Sequence, residues 1–456
     1  MCRRHVVGGS RRLLAVRRRD GARAVLGRRG SRKAAGVTAV RVGIAGGGIA
    51  GLTLAWLLSE SHEVVLLEER PRLGGNVKSV LTAADGGPCA IDLGVRETPV
   101  EVSPVWRHIA AAVGVSAGDL VATTASRVVL RKHERSPLWV SAADPTDTAR
   151  PVTTGGPAYR AMARFADESA RWETEGMSWD VTVGDVLDSW PLPSTAVRHL
   201  LCALPASLHG CTTDEVRSLS ARAVGTTFTP PHTVPRTTYL RSGNSSLVHG
   251  LAAGARPARL LLGTGLRAVR RAGEGFELVD SAGAVHATDV VALALPADHA
   301  LAALSGLAGA GAWRTALKAV EYREVTYVLH HDPYGMPENR RTWSAGNTTV
   351  DGNRSETTTW YGPSLGVDLF VSQLDHRAGR PREELARSSF RATLPTPQAC
   401  RARQRLGAIH EGQRLLFLGH CTTPVETQEA AMASAVAVAQ HLTPCGKRLR
   451  DYLEGG

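Results

Sequence analysis

Val40-Arg41-Val42-Gly43-Ile44-Ala45-Gly46-Gly47-Gly48-Ile49-Ala50-Gly51 is the stretch that decides how this chain folds. Its first six residues form a short β-prone run. Gly46-x-Gly48-x-x-Gly51 follows at once, and Leu52 to Leu58 continues with helix-forming residues. A second β-run, His62 to Leu67, ends in the acid Glu68. Strand, glycine turn, helix, strand and acid therefore fit within about 30 residues. Each part has a physical reason. Gly46 permits the tight turn, Gly48 lets backbone approach a pyrophosphate, and Gly51 lets the helix pack closely on the strand. The helix start, with Ile49 and Ala50, offers free N–H groups and a partial positive charge to phosphates. Glu68 lies 22 residues after the first glycine, where a carboxylate can accept hydrogen bonds from both ribose hydroxyls. The pattern predicts dinucleotide binding. A glycine-rich turn in some other α/β fold is the competing reading.

Working outward, no charge occurs for 17 residues from Val42 to Leu58. That run is shorter than the ~20 residues a bilayer needs, and it holds five glycines. A buried strand, a tight turn and a buried helix explain it, and no transmembrane segment is expected. The whole chain has 456 residues, enough for two or three domains with a large core. Its net charge of +12 suggests a nucleic-acid binder until the charge is located. Residues 1–40 hold eleven Arg, Lys33 and one acid, Asp20, so the rest carries about +1. That leader cannot bury a core, and disorder is expected there. It reads as a plain tail, or as a transit peptide, with an export signal or a nucleic-acid arm as further readings. Nucleic acid is not an expected partner of the body. The seven cysteines are scattered and lack a C-x-x-C, which predicts reduced thiols and a cytoplasmic location. An organelle matrix is the alternative if the leader is a transit peptide. His330-His331-Asp332 is the only tight histidine cluster, and neighbours on a strand face opposite ways, so no metal site is expected.

After Glu68 come Glu69-Arg70-Pro71-Arg72-Leu73-Gly74-Gly75-Asn76, and later Ile91-Asp92-Leu93-Gly94. In these residues the chain resembles the FAD-dependent amine oxidase superfamily, which includes monoamine and polyamine oxidases, protoporphyrinogen oxidase and carotenoid desaturases. Within it, the chain looks most like bacterial FAD-dependent proteins known only as predicted NAD/FAD-binding oxidoreductases. Two further blocks fit. One runs from Gly243 through Leu260–Gly263 and Val269, then a hairpin (Phe276–Val279, Val285), to Asp289–Pro296. The other is Leu415-Leu416-Phe417-Leu418-Gly419, followed by Glu429-Ala430-Ala431-Met432-Ala433-Ser434 and a small-residue helix to His441.

The resemblance implies an α/β chain: a Rossmann-type FAD-binding domain (GR2-like) with an inserted α+β substrate domain. Residues 41–95, 235–300 and 409–443 would form the FAD-binding domain, 96–234 and 301–408 the substrate domain, and 444–456 a C-terminal tail. The cofactor-binding residues it implies are Gly46, Gly48, Ile49, Ala50, Gly51, Glu68, Glu69, Arg72, Gly74, Gly75, Asn76, Val269, Gly419, Glu429 and Ala430. Val269 would give backbone contacts to the adenine. The last helix would lie beside the flavin ring, where its N-terminus stabilises negative charge on the reduced ring. Its start is ambiguous. Thr423-Pro424-Val425-Glu426 reads as a capping box, whereas the family comparison starts the helix nearer Gln428.

Three departures limit the resemblance. His420 stands where the family commonly has an acid bonding the ribityl chain. Thr326 stands near the position of the lysine that amine-oxidising members carry, and only five lysines occur in the chain. The paired aromatics that sandwich an amine are absent from residues 420–428. The inserts hold eight of the nine tryptophans, mostly expected in the core, and Arg96-Glu97 is either near the flavin or a surface ion pair. The implied activity is transfer of a hydride from a C–H bond of a small organic substrate to flavin N5, with oxygen reoxidising the cofactor. No acid or base is assigned, since positioning alone contributes several kcal/mol. Two alternatives stand: a desaturase, isomerase or other non-redox flavoprotein acting on a hydrophobic chain, and a GDP-dissociation-inhibitor-like binding protein without flavin.

Overall fold

In the computed structural model the uncharged run divides into strand β1 (Arg41–Ala45), the glycine turn and helix α1 (Ile49–Leu58). The structure describes residues 39–84, 87–124, 126–132, 134, 136–141, 152–153, 155–192, 195–226, 236–377 and 379–454. Residues 1–38 of the basic leader, with Cys2, lie outside them. All ten residues of α1 are buried, so the absence of charge follows from a helix enclosed on every side. No described helix is long and apolar enough to cross a membrane.

Strand β2 (Glu63–Glu68) pairs in parallel with β1, placing Leu67 beside Ala45 and bringing Glu68 just past the glycine turn. The sheet is completed by β3 (Arg259–Leu262), β4 (Val290–Leu293) and β5 (Leu415–Phe417) in the order β5-β4-β1-β2-β3, all parallel. These three strands come from segments up to 370 residues distant in sequence, and they carry continuous apolar runs because both sheet faces are covered. On one face α1 packs with α2 (Pro104–Ala112), α3 (Ser245–Gly254) and α4 (Gln428–Leu442) around Trp56, Trp106, Leu251 and Met432. On the other lies an antiparallel meander, Leu266–Ala272, Gly275–Asp280 and Val285–Thr288. Gly43 of β1 is the contact point. A Cβ there would come within 2.5 Å of Leu278 Cδ1 and 2.8 Å of Thr288 Cγ2.

The intervening chain builds a second, seven-stranded mixed sheet. Its order is Ala386–Thr393, Tyr322–His330, Phe370–Gln373, Arg354–Trp360, Gly346–Asp351, Arg127–Arg131 and Trp139–Val140. Strands 127–131 and 139–140 come from the first long insert and the rest from the second, so neither insert closes this sheet alone. Helix Thr195–His209 packs on it. Trp172 and Trp190 lie in a helical cluster of the first insert with Phe165, which makes them core residues.

Two elements differ from the sequence reading. The last long helix starts at Gln428, capped by Thr427, whose hydroxyl accepts from Ala430 N at 3.0 Å. The Thr423–Glu426 box does not form because Glu426 turns away, accepting from Thr393 N at 3.2 Å and from Arg403 at 3.3 Å. The C-terminal tail contains a helix, α5 (Lys447–Glu454). Leu449 is buried, and Arg448 bonds Gly254 O at 3.0 Å, the Trp56 carbonyl and Glu60, which ties α5 to the end of α1.

The close approach at Gly43 gives a test of the layer order. Gly43→Ala should cost about 1–3 kcal/mol by overpacking. In a Leu278→Ala background, where the opposing side chain is gone, the same change should cost much less. Urea denaturation of the four proteins in this cycle measures the coupling.

Candidate functional site

Two glycine loops face each other at the carboxyl ends of β1 and β2. Gly46 takes φ +102°, its N–H bonds Leu67 O at 2.8 Å, and a Cβ there would overlap the Ala294 carbonyl. A Cβ at Gly51 would overlap the Gly46 carbonyl oxygen, so α1 can begin this close to the strand only with glycine at that place. The second loop reaches the first through Gly74 N to Gly47 O, 2.8 Å. Gly75 takes φ +59°, and a Cβ on it would stand 3.1 Å from Gly48 Cα. Gly48 is different. A Cβ there would meet nothing nearer than Gly75 Cα, 3.9 Å away. Gly48 caps α1 without a side-chain hydrogen bond, and no acid stands in the first turn of the helix. The N–H groups of Ile49 and Ala50 thus begin a helix whose positive end opens on a cleft where Gly48 presents no side chain.

Glu68 closes one end of that cleft. Its carboxylate is buried and accepts Gly47 N at 2.6 Å and Arg70 N at 2.9 Å. Each oxygen keeps one further lone pair for an outside donor. Glu69 points outward and is exposed. Arg72 shapes the second loop: its guanidinium donates to Gly75 O at 2.9 Å, Val77 O at 3.0 Å and Leu73 O at 3.3 Å. Burial, and then the neighbouring Arg70, hold its pKa below the usual value. Asn76 lies against the Asp-x-Gly turn, since a Cβ on Gly94 would overlap the Asn76 carbonyl oxygen.

That turn anchors a buried polar network. Asp92 accepts Ser79 Oγ at 2.5 Å, Asn244 N at 3.1 Å and Asn244 Nδ2 at 2.9 Å. Gln428 Nε2 donates to Asn244 Oδ1 at 3.0 Å, and Trp106 Nε1 donates to Gln428 Oε1 at 3.1 Å. Burial pushes the Asp92 pKa up to about 6, against the opposing pull of Ser79, Asn244 and Arg96. Four segments distant in sequence are joined this way: the Asp-x-Gly turn and the starts of α2, α3 and α4. Sequence reasoning missed Ser79, Asn244 and Gln428. The only signal was their nearness to Gly243 and to the Glu-x-x-x-x-Ser helix.

The closing segment meets the opening one. Gly419 takes φ +81°, its N–H bonds Ser434 Oγ at 2.8 Å, and a Cβ on it would stand 3.3 Å from Ala50 Cβ. Glu429 does not face the cleft with a free carboxylate. Its two oxygens accept Val105 N at 3.0 Å and Trp106 N at 2.7 Å, so it caps α2. Ala430 N is taken by Thr427. His420 Nε2 is buried with no partner among the described residues. Burial opposes the charge of Glu426, yet His420 and Arg403 hold its carboxylate below the ordinary range.

The comparisons with known proteins agree with this geometry. Residues 44–112 match the family model for an NAD(P)-binding Rossmann-like domain. No curated protein matches the chain in sequence. Among solved structures, cyclohexylamine oxidase from Brevibacterium oxydans IH-35A superposes with a TM-score of 0.64 at 13% identity, covering 89% of this chain and 99% of that one. A protein named as a protoporphyrinogen oxidase, from Exiguobacterium sp. 255-15, gives 0.60 at 16% identity with the same coverage. The chain has their fold.

Within this fold the remaining sequence-derived residues fall in varied places. Val269 is buried in the meander, opposite Leu278, in the cluster that holds Ala45 and Leu67 at the strand ends. The segment bonded directly to the acid strand is Gly263–Thr264, through Gly263 N to Arg70 O and Thr264 N to Glu68 O. Thr326 bonds Ser389 Oγ at 3.0 Å. His330 is a core residue: it bonds Ser372 at 2.8 Å, stacks on Phe370, and burial lowers its pKa to about 4. His331 is exposed, and no metal-binding group of His, Cys, Asp and Glu occurs among the described residues. The six described cysteines are free, and burial pushes Cys202, Cys211 and Cys421 up to about 12.

Two measurements probe the network. A raised carboxyl pKa in the folded state makes ionisation costly, so stability falls as pH rises from about 4 through about 6. Asp92→Asn removes that slope. Wild type should lose on the order of 2–3 kcal/mol relative to Asp92→Asn between pH 4 and 7.5, read from urea midpoints. Glu429→Ala, which leaves two helix N–H groups uncapped, should cost about 1–2 kcal/mol by the same method.

Proposed function

We propose that this chain is an FAD-dependent oxidoreductase that takes a hydride from a C–H bond of a small organic substrate, with oxygen as the final acceptor. The supporting observation is the start of α1 at Gly48, where a Cβ would meet only Gly75 Cα at 3.9 Å and no acid stands in the first helical turn. A pyrophosphate fits such a place, because helix N–H groups can bond it and Gly48 brings no competing side chain. Bound FAD would supply the two-electron acceptor.

This chain's own residues would do the rest. Gly48, Ile49, Ala50 and Gly51 would hold the phosphates, with Gly46 setting the turn. Glu68 would receive the ribose hydroxyls on its free lone pairs, beside Glu69. Gly74, Gly75 and Asn76, shaped by Arg72, would cover the nucleotide, and Val269 would lie by the adenine. Gly419 and the first turn of α4, including Ala430, would face the ring, with Glu429 acting by fixing α2 against that turn. His420 stands beyond Gly419, where its unbonded Nε2 can donate to or accept from a polyhydroxyl chain. The parallel sheet and its helices would be the cofactor domain, and the seven-stranded sheet the substrate side. With Thr326 tied to Ser389, the strand holds no lysine to position water, which favours a substrate other than a simple amine. The buried, unpaired thiols suit a reducing compartment such as the cytoplasm.

Gly48→Ala is the informative variant. Its φ of −71° suits alanine and its Cβ meets only Gly75 Cα at an ordinary 3.9 Å, so the fold should survive with an unchanged thermal midpoint. The purified wild type should show flavin absorbance and release a compound with the mass of FAD. Gly48→Ala should lose at least about tenfold in FAD affinity, roughly 1.4 kcal/mol. A colourless wild type that cannot be reconstituted would overturn the proposal.

A further inference from the structure

The nucleotide cleft uses the carboxyl ends of β1 and β2. At the opposite, amino ends of the strands lies a separate cavity of about 280 Å³, suited to a molecule of amino-acid size rather than a nucleotide. Arg41, Glu63 and Arg259, the first residues of β1, β2 and β3, all line it. Val65 lines it too, two residues after Glu63 on the same face and directly opposite Arg259 in register. The remaining wall is the outer strand of the meander, Val285–Thr288, which pairs only with Gly275–Asp280. Half of its N–H and C=O groups therefore face away from the meander.

Four titratable or charged side chains meet at this cavity, and two of them are already satisfied. Arg41 clasps Asp289, with Nη2 to Oδ1 at 2.7 Å and Nε to Oδ2 at 3.3 Å. Asp289, and more weakly Glu63, hold the Arg41 pKa above its ordinary value. His286 Nε2 lies 2.9 Å from Asp280 Oδ2. Asp280 also accepts Ala282 N and Ala284 N, so it is the acceptor here too and Nε2 carries the proton. His286 Nδ1 is left over. The other two are Glu63 and Arg259. Neither side chain makes a hydrogen bond or ion pair among the described residues, and both are exposed. One small cavity thus carries two opposite charges that do not close on each other. A simple anion there is repelled by Glu63 and a simple cation by Arg259. A molecule bearing both charges meets both.

We propose that this cavity binds a small zwitterion, an α-amino acid with an apolar side chain, at a site separate from the nucleotide cleft. The planar fork of Arg259 matches the carboxylate. Glu63 receives the ammonium, and the free Nδ1 of His286 is a further acceptor. The apolar side chain covers Val65 and Val285, a valine that stands 51% exposed. The length of β1, about 15 Å, separates this site from the glycine turn, so the site does not rest on the flavin reading.

The test is calorimetric titration of the purified protein with L-leucine, with 4-methylpentanoate, which lacks the ammonium, and with 3-methylbutylamine, which lacks the carboxylate. Wild type should bind L-leucine saturably and each analogue at least about tenfold more weakly, because each leaves one charge unmet. Arg259→Gln and Glu63→Gln should each weaken L-leucine by a similar factor. Both side chains are exposed, so thermal midpoint and flavin absorbance should match wild type. No saturable binding of L-leucine, equal binding of either analogue, or unchanged affinity in either variant would overturn the proposal. The last result would place the amino acid elsewhere on the chain, as a substrate bound at the flavin would be. A colourless wild type that discriminates the three probes and responds to both substitutions would uphold this site and remove the flavin reading alone.

Discussion

The hydrogen bond from Gly74 N to Gly47 O, 2.8 Å long, draws two turns together at a point where neither has a side chain. Backbone can approach backbone this closely only because Gly75 offers no Cβ to Gly48, and Gly51 none to Gly46. The cleft that results is lined by amide groups and by the positive end of α1. Glu68 reinforces the arrangement from below, with one oxygen on Gly47 N and the other on Arg70 N. A carboxylate spent on two backbone donors holds both loops to the end of β2.

From that contact the rest of the molecule is organised by closure. After β2 the chain leaves the parallel sheet three times and returns to add β3, β4 and finally β5. Its last return places Gly419 against Ala50, so residues 369 apart share one end of the cleft. The Asp92–Asn244–Gln428–Trp106 network serves as the second clasp, holding the start of α4 while Ser434 further along holds Gly419. Burying so many polar groups is tolerable because each has found a partner, and Asp92 alone carries a large displaced pKa as the residual cost.

What the sequence made legible was local. From β1 to Glu68 every element is set by neighbours within 30 residues: apolar runs for the strands, glycines for the turn, an uncharged face on all sides for α1. The Asp-x-Gly turn and the small-residue helix could be placed by resemblance. The partners of their side chains could not, because Asp92, Trp106, Asn244 and Gln428 meet only after the sheet has closed. Glu429 shows the same limit. Its spacing to Ser434 suggests a residue aimed at a cofactor, and folding sends the carboxylate to the start of α2. The capping box at Thr423 failed for a kindred reason: Arg403 and Thr393, distant in sequence, take Glu426 away.

The account turns on one place, the start of α1 at Gly48, where Gly75 packs against it. Electron density from crystals of the purified protein would examine it most directly. A dinucleotide whose pyrophosphate lies on the first turn of α1, whose ribose touches Glu68 and whose ring reaches Gly419 is the predicted result. Ordered solvent alone at that place after soaking with FAD, or a dinucleotide bound elsewhere on the chain, would contradict it.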